Sequence, residues 1–215
     1  MRFVLASILL ALTISSCQAL PSHLYPGEVS SGEVLFQDDF SDPASGWERV
    51  SEGSEGVLDY EDGAYRILVN ESYQMLWSGP GLRFDDVRIE VDVGNLNEPK
   101  DDDFGVICRA ENRANFYFLV ISSDGYYGIG KVKNGVQRLI GMQAMLPGED
   151  INRGRAINHL RADCIGETLS LYVNGVLLKS VRDPDYRTGD VGLLAGTFRE
   201  PGTEVIFDSF SVLKP

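Results

Sequence analysis

Two acids, Glu90 and Asp92, are the first residues whose spacing could do chemistry. They fall in the run Asp86 to Val93, where Val87, Ile89, Val91 and Val93 alternate with Arg88, Glu90 and Asp92. A period of two predicts a half-buried strand with the aliphatic residues inside and the charges outside. Both carboxylates then leave one face, about 6.5 Å apart by the rise of a strand. Paired carboxylates can cleave a glycosidic bond, and retaining enzymes hold theirs about 5–5.5 Å apart with one pKa raised. Glu90 and Asp92 are weak catalytic candidates on this basis, because a solvated acidic face beside Arg88 explains the same residues. Arg109, expected outward on a neighbouring strand, would keep Glu90 ionised and suit it to accepting hydrogen bonds from sugar hydroxyls.

Trp77, Arg109, Tyr117, Tyr126, Tyr127 and Tyr172 could complete a sugar-binding face with Glu90 and Asp92. Aromatic rings stack on the apolar faces of sugars, although core packing explains at least half of these rings equally well. Asp38, Asp39 and Asp42 near the start, with Asp208 near the end, form a candidate structural Ca²⁺ site where the terminal strands meet; Asp39 and Asp208 are its central pair. The run Asp101-Asp102-Asp103 is a second cation candidate, and turn capping accounts for either group as well. No other cofactor is expected. His159 has no second histidine near it and reads as structural, and there is no Ser-His-Asp set, phosphate loop or zinc spacing.

Those residues must be positioned by strands. The organising stretch is Asp103 to Lys133, read as three consecutive antiparallel strands. Phe104, Val106 and Cys108 face one side there, and Gly105, Ile107 and Arg109 the other. Asn115 to Ser122 is apolar on both sides, as suits a central strand covered on both faces. Asp124-Gly125 and Asn134-Gly135 mark tight hairpins. Around this centre lie strand patterns at Val34 to Phe40, Val57 to Tyr60, Ala64 to Val69, Tyr73 to Trp77, Gln137 to Met142, Ile157 to Ile165, Thr168 to Val173, Val176 to Val181, Val191 to Ala195 and Thr203 to Leu213. No helical pattern exceeds two turns, and many short strands at regular spacing predict an all-β sandwich or barrel.

The N-terminus is an export signal: Arg2, an apolar run from Phe3 to Leu12, then Ile14-Ser15-Ser16-Cys17. That tetrapeptide resembles the lipobox of bacterial lipoproteins, which implies acylation of Cys17. Residues 1–17 are therefore read as a lipoprotein signal peptide with its lipidated cysteine, 18–33 as a flexible tether rich in Pro, Gly and Ser, and 34–215 as a single β-sandwich domain. The remaining cysteines, Cys108 and Cys164, both face the core in their strand patterns and form an even pair in an exported chain, which predicts a disulfide. A net charge of -13 repels phosphate backbones and excludes nucleic acid as a partner. No later apolar run is long enough to span a bilayer, so membrane association rests on the lipid anchor and the domain is expected outside the cytoplasm.

Taken in order, Asp38-Asp39-Phe40-Ser41-Asp42 followed by Trp47, Gly105-Val106-Ile107-Cys108-Arg109, Asn115-Phe116-Tyr117-Phe118, Val173-Asn174-Gly175 and Phe207-Asp208-Ser209-Phe210 resemble concanavalin A-like lectin/glucanase domains, nearest to the laminin G-like and 3-keto-disaccharide hydrolase-type branch. The resemblance covers Val34 to Leu213 and implies a two-sheet antiparallel jelly roll. Its members bind glycans, hydrolyse them, or do neither. Glu90-Val91-Asp92 resembles the start of the glucanase motif E-x-D-x-x-E, but Asn95 stands at the last position, and Gly94 at that of the shorter spacing. The missing second acid favours a non-catalytic, membrane-tethered domain that binds a glycan. The alternatives are a saccharide hydrolase on the same scaffold and a structural envelope lipoprotein that binds other proteins, so the expected partner is a glycan or an envelope component.

Overall fold

The computed structural model describes residues 32–51, 53–97 and 101–215. The predicted signal peptide, Cys17 and all of the tether except Gly32 and Glu33 lie outside the described residues. Gly32 N–H donates to Lys214 C=O and Lys214 N–H donates to Glu33 C=O, both at 2.8 Å, so the paired domain begins slightly before Val34.

Among the described residues the strands run in order β1 (Val34–Asp38), β2 (Gly56–Glu61), β3 (Ala64–Val69), β4 (Met75–Ser78), β5 (Val87–Asn95), β6 (Asp102–Asn112), β7 (Asn115–Ile121) and β8 (Tyr126–Lys133). They continue with β9 (Val136–Leu139), β10 (Leu146–Pro147), β11 (Ile157–Ile165), β12 (Thr168–Val173), β13 (Val176–Arg182), β14 (Asp190–Thr197) and β15 (Thr203–Leu213). The first sheet has the order β13-β12-β11-β5-β15-β3-β2 with β1 added on β15; the second has β10-β8-β7-β6-β14-β4 with β9 added on β8. Every pairing is antiparallel. The expected all-β, two-sheet jelly-roll sandwich is what forms, and β6-β7-β8 are the three adjacent strands at the centre of the second sheet.

Alternation builds the core. Val87, Ile89, Val91 and Val93 of β5 meet Phe104, Val106 and Cys108 of β6 and Tyr117, Leu119 and Ile121 of β7 in one buried cluster between the sheets. Cys108 and Cys164 form a disulfide that joins β6 to β11, one sheet to the other. A second buried cluster lies on the far side of the second sheet, made of Ile107, Ala110, Phe116, Phe118, Val120, Val132 and Leu194. Leu139 and Met145, from the 136–146 segment, pack over it beside Met75 and Trp77 of β4. Strand β7 is therefore buried on both faces, as its two-sided apolar pattern predicts.

Candidate functional site

The sandwich divides the sequence-predicted ligand residues into three places. Glu90, Asp92 and Tyr172 are on the outer face of the first sheet. Glu90 stands opposite Arg161 in the β5–β11 register. Asp92 and His159 Nδ1 are 2.8 Å apart, and Arg161 lies 4.3 Å from the Tyr172 ring centroid. Trp77 is on the outer face of the second sheet, where the Arg113 guanidinium already covers its ring at 4.1 Å. It lines a hollow of about 520 Å³ with Glu48, Glu55 and Gln74.

Arg109, Tyr117 and Tyr127 are inside. Tyr117 is fully buried, and its hydroxyl donates to Asp183 Oδ1 at 2.7 Å and accepts from Tyr186 N–H at 3.0 Å. Tyr127 reaches Leu178 C=O at 3.3 Å. Neither ring faces solvent, so neither is a platform for a ligand. Arg109 corrects the alternation argument: it was expected outward, yet is only 1% exposed. Its φ of 53° and the register shift between Cys108 and Asn112 mark a β-bulge, which turns the side chain inward. There the guanidinium donates to Cys164 C=O, Gly166 C=O, Tyr186 C=O and Asp86, and its Nε is left without a partner. Nor is Arg109 beside Glu90, since β5 pairs with β11 and β15 while β6 belongs to the other sheet.

The acids proposed for a cation do not converge. Asp39 accepts from the Ser41 hydroxyl and N–H, which holds its carboxyl below the usual range, and Asp208 accepts from Ser209 N–H. Asp38 receives Phe40 N–H and Trp47 Nε1–H. Asp102 and Asp103 project from opposite faces of β6 as strand neighbours must. Among the described residues no group of three or more His, Cys, Asp or Glu side chains could hold a metal ion.

What the structure does bring together lies around Asp103 on the outer face of the second sheet. A cavity of about 420 Å³ runs from Asp101 and Asp103 past Phe118 and Val120 to Tyr126, Gln137 and Met145. A second hollow of about 260 Å³, lined by Tyr73, Gln74 and Thr197, shares Asp103, Gln137 and Phe198 with the first. Asp103 stands at their junction, 3% exposed, and no hydrogen bond reaches its carboxyl from the described residues. Burial, with Asp102 and Asp101 adding repulsion, pushes its pKa up to about 7. Asp102, on the inner side, accepts from Ser123 N–H and its hydroxyl, and burial raises it to about 6.

Two glycines shape this groove. A Cβ on Gly196 of β14 would strike the Asp103 carboxyl, and one on Gly130 of β8 would strike the Phe118 ring. Their absence of side chain lets the acid and the ring lie flat across neighbouring strands. Of the groove residues, the sequence reading had singled out Tyr126 as a sugar-stacking ring and Asp101–Asp103 as a cation candidate. Gln137, Phe198 and Met145 carried no signal. The available signal was glycine at outward positions of predicted strands, such as Gly105 and Gly192, where alternation should have placed side chains; Gly196 falls just past the predicted strand Val191 to Ala195.

No family model matches the chain, and no curated protein matches it. Solved structures do. A carbohydrate-binding module, CBM66 from Bacillus subtilis, superposes with a TM-score of 0.58 at 15% identity over 78% of this chain and 91% of that one. A Bacillus subtilis protein of unknown function with a galectin-like fold gives 0.62 at 12% identity over 86% and 97%. A structure described with endo-acting O-glycanases of the human gut microbiota that initiate mucin breakdown gives 0.57 at 12% identity over 84% and 99%. At these identities the likeness is one of fold: a lectin-like β-sandwich.

Proposed function

We propose that the protein is an extracytoplasmic, non-catalytic glycan-binding domain, tethered through a lipidated Cys17, and that its site is the groove around Asp103. The observation that carries this reading is the junction itself: a buried carboxyl without a partner among the described residues, set between two hollows with an apolar floor. A saccharide offers what such a groove lacks, hydroxyl donors for Asp103 and Gln137 and a C–H face for Phe198 and Tyr126 at its walls. The fold shared with a named carbohydrate-binding module and with a structure described among O-glycanases supports a saccharide ligand. The finer assignment to a laminin G-like or 3-keto-disaccharide hydrolase-type branch, and lipid anchoring to the cell membrane or outer membrane, belong to the same proposal.

The test is a glycan array with the full chain and two pairs of variants. Phe198→Ala and Gln137→Ala should abolish the hits, while Tyr172→Ala and Glu90→Gln should leave them. Hits that follow Tyr172 rather than Phe198 would move the site to the first sheet, and an array without hits would end the glycan reading.

One observation favours a hydrolase as second reading. A carboxyl held near neutral pKa in a groove is suited to proton donation. Turnover of an array hit by the wild-type chain, lost in Asp103→Asn, would establish it in place of binding alone.

A further inference from the structure

The charge pattern of the groove selects among saccharides, an inference that rests on the glycan reading above. Three acids line the larger cavity besides Asp103, namely Asp101, Asp102 and Asp124. Neither hollow has a Lys or Arg among its described lining residues. On the other outer face, acids have basic neighbours: Asp163 receives both Arg88 and Arg161, Glu204 receives Arg66, and Asp59 receives Arg49. Asp103 is the exception, a nearly enclosed carboxyl whose described surroundings carry only its own sign.

We infer that the groove recognises a saccharide bearing a free amino group, with Asp103 as the counter-ion of the ammonium. A buried charge is costly unless paired and hydrogen-bonded, so the partner absent from the chain is most effectively brought by the ligand. An ammonium supplies three donors and a positive charge at once, where a hydroxyl supplies one donor and none. A uronate, sulfated or sialylated glycan would meet like charge from Asp101 and Asp124 and is rejected. The aromatic ring of Phe198, which lines both hollows, adds to the attraction for a cation.

Calorimetric titration of the full chain at neutral pH and low salt separates the outcomes. The probes are a glucosamine tetrasaccharide, its fully N-acetylated counterpart, an oligogalacturonate and tetralysine. The glucosamine tetrasaccharide should bind about tenfold or more tighter than the acetylated one, a difference of ~1.4 kcal/mol. Oligogalacturonate should not bind. Asp103→Asn should remove the preference, whereas Glu149→Gln, the same charge change at an exposed site outside the groove, should keep it. Should Asp103→Asn fail to fold by circular dichroism, Asp101→Asn reads the same preference, expected to shrink severalfold. Equal affinity for the two tetrasaccharides overturns the charge selection and leaves the glycan reading standing. Tetralysine binding as tightly as the glucosamine tetrasaccharide, or neither tetrasaccharide binding, overturns the saccharide reading itself.

Discussion

The two outer faces of this sandwich carry charge in opposite ways. On the first sheet, cross-strand neighbours neutralise one another: Arg88 and Arg161 hold Asp163, Arg66 holds Glu204, and His159 lies against Asp92. These groups are partly exposed, and water screens what pairing leaves over, so each bond contributes little. The second sheet buries Phe116, Phe118, Val120 and Leu194 under the 136–146 segment; at its β4 edge Arg113 pairs with Glu48, but the acids around the groove meet no Lys or Arg among the described lining residues. Asp103 has no hydrogen-bond or ion-pair partner among the described residues. The face whose acids and bases pair across strands thus offers no unmet partner, and the face that looks like core contains the groove. A site is marked here by an unmet partner, not by an abundance of polar groups.

The sharpest way to break this comparison is to treat the second outer face as mere surface. Phe118→Ala should then cost almost nothing. Because the ring is fully buried in its own cluster, we expect a loss of about 3–5 kcal/mol, read as a drop in urea midpoint.

Next in size is the link between the faces. The Cys108–Cys164 bridge spans 56 residues and joins the sheets, so the chain-entropy model gives about 4 kcal/mol. Cys108→Ala/Cys164→Ala should lower the melting temperature as one transition. Two separated transitions would show that the sheets melt independently.

Asp103 sharpens the comparison through pH. Its carboxyl rises from 3.8 to about 7 on folding, so the folded state holds a proton that the unfolded state has released. Stability contributed by that proton is intact near pH 4 and lost as the pH rises towards 7, by an amount on the order of 4 kcal/mol at most. Asp102, raised to about 6, adds to the same decline at slightly lower pH. Asp103→Asn should flatten the decline and melt higher than wild type at alkaline pH. An unchanged pH profile would mean that Asp103 is solvated after all.

The smallest effect belongs to the first sheet. Glu90→Gln and Tyr172→Ala should each change stability by less than about 1 kcal/mol, as exposed pairs do. A larger loss, or a loss of glycan binding, would place function on that face.

The sequence by itself determined the strands, because a period of two and turn pairs such as Asn134-Gly135 and Asn174-Gly175 are local properties that burial on a pleated sheet imposes. It determined the disulfide for the same reason, since Cys108 and Cys164 both fall at core-facing positions. It also separated the faces of β7, whose Phe116-Phe118-Val120 and Tyr117-Leu119-Ile121 sets go to different clusters. Tertiary structure alone decided where chemistry can occur. The β-bulge that turns Arg109 inward depends on one residue's positive φ, which alternation cannot see. The assignment of β5 and β6 to different sheets moved Glu90 away from Arg109. Asp103 became distinct from Asp101 and Asp102 only when Gly196 of β14, 93 residues later by the numbering, opened room beside it and the 136–146 segment closed over the face. Desolvation and the absence of a partner are properties of everything that packs around a group, and no spacing within one strand encodes them.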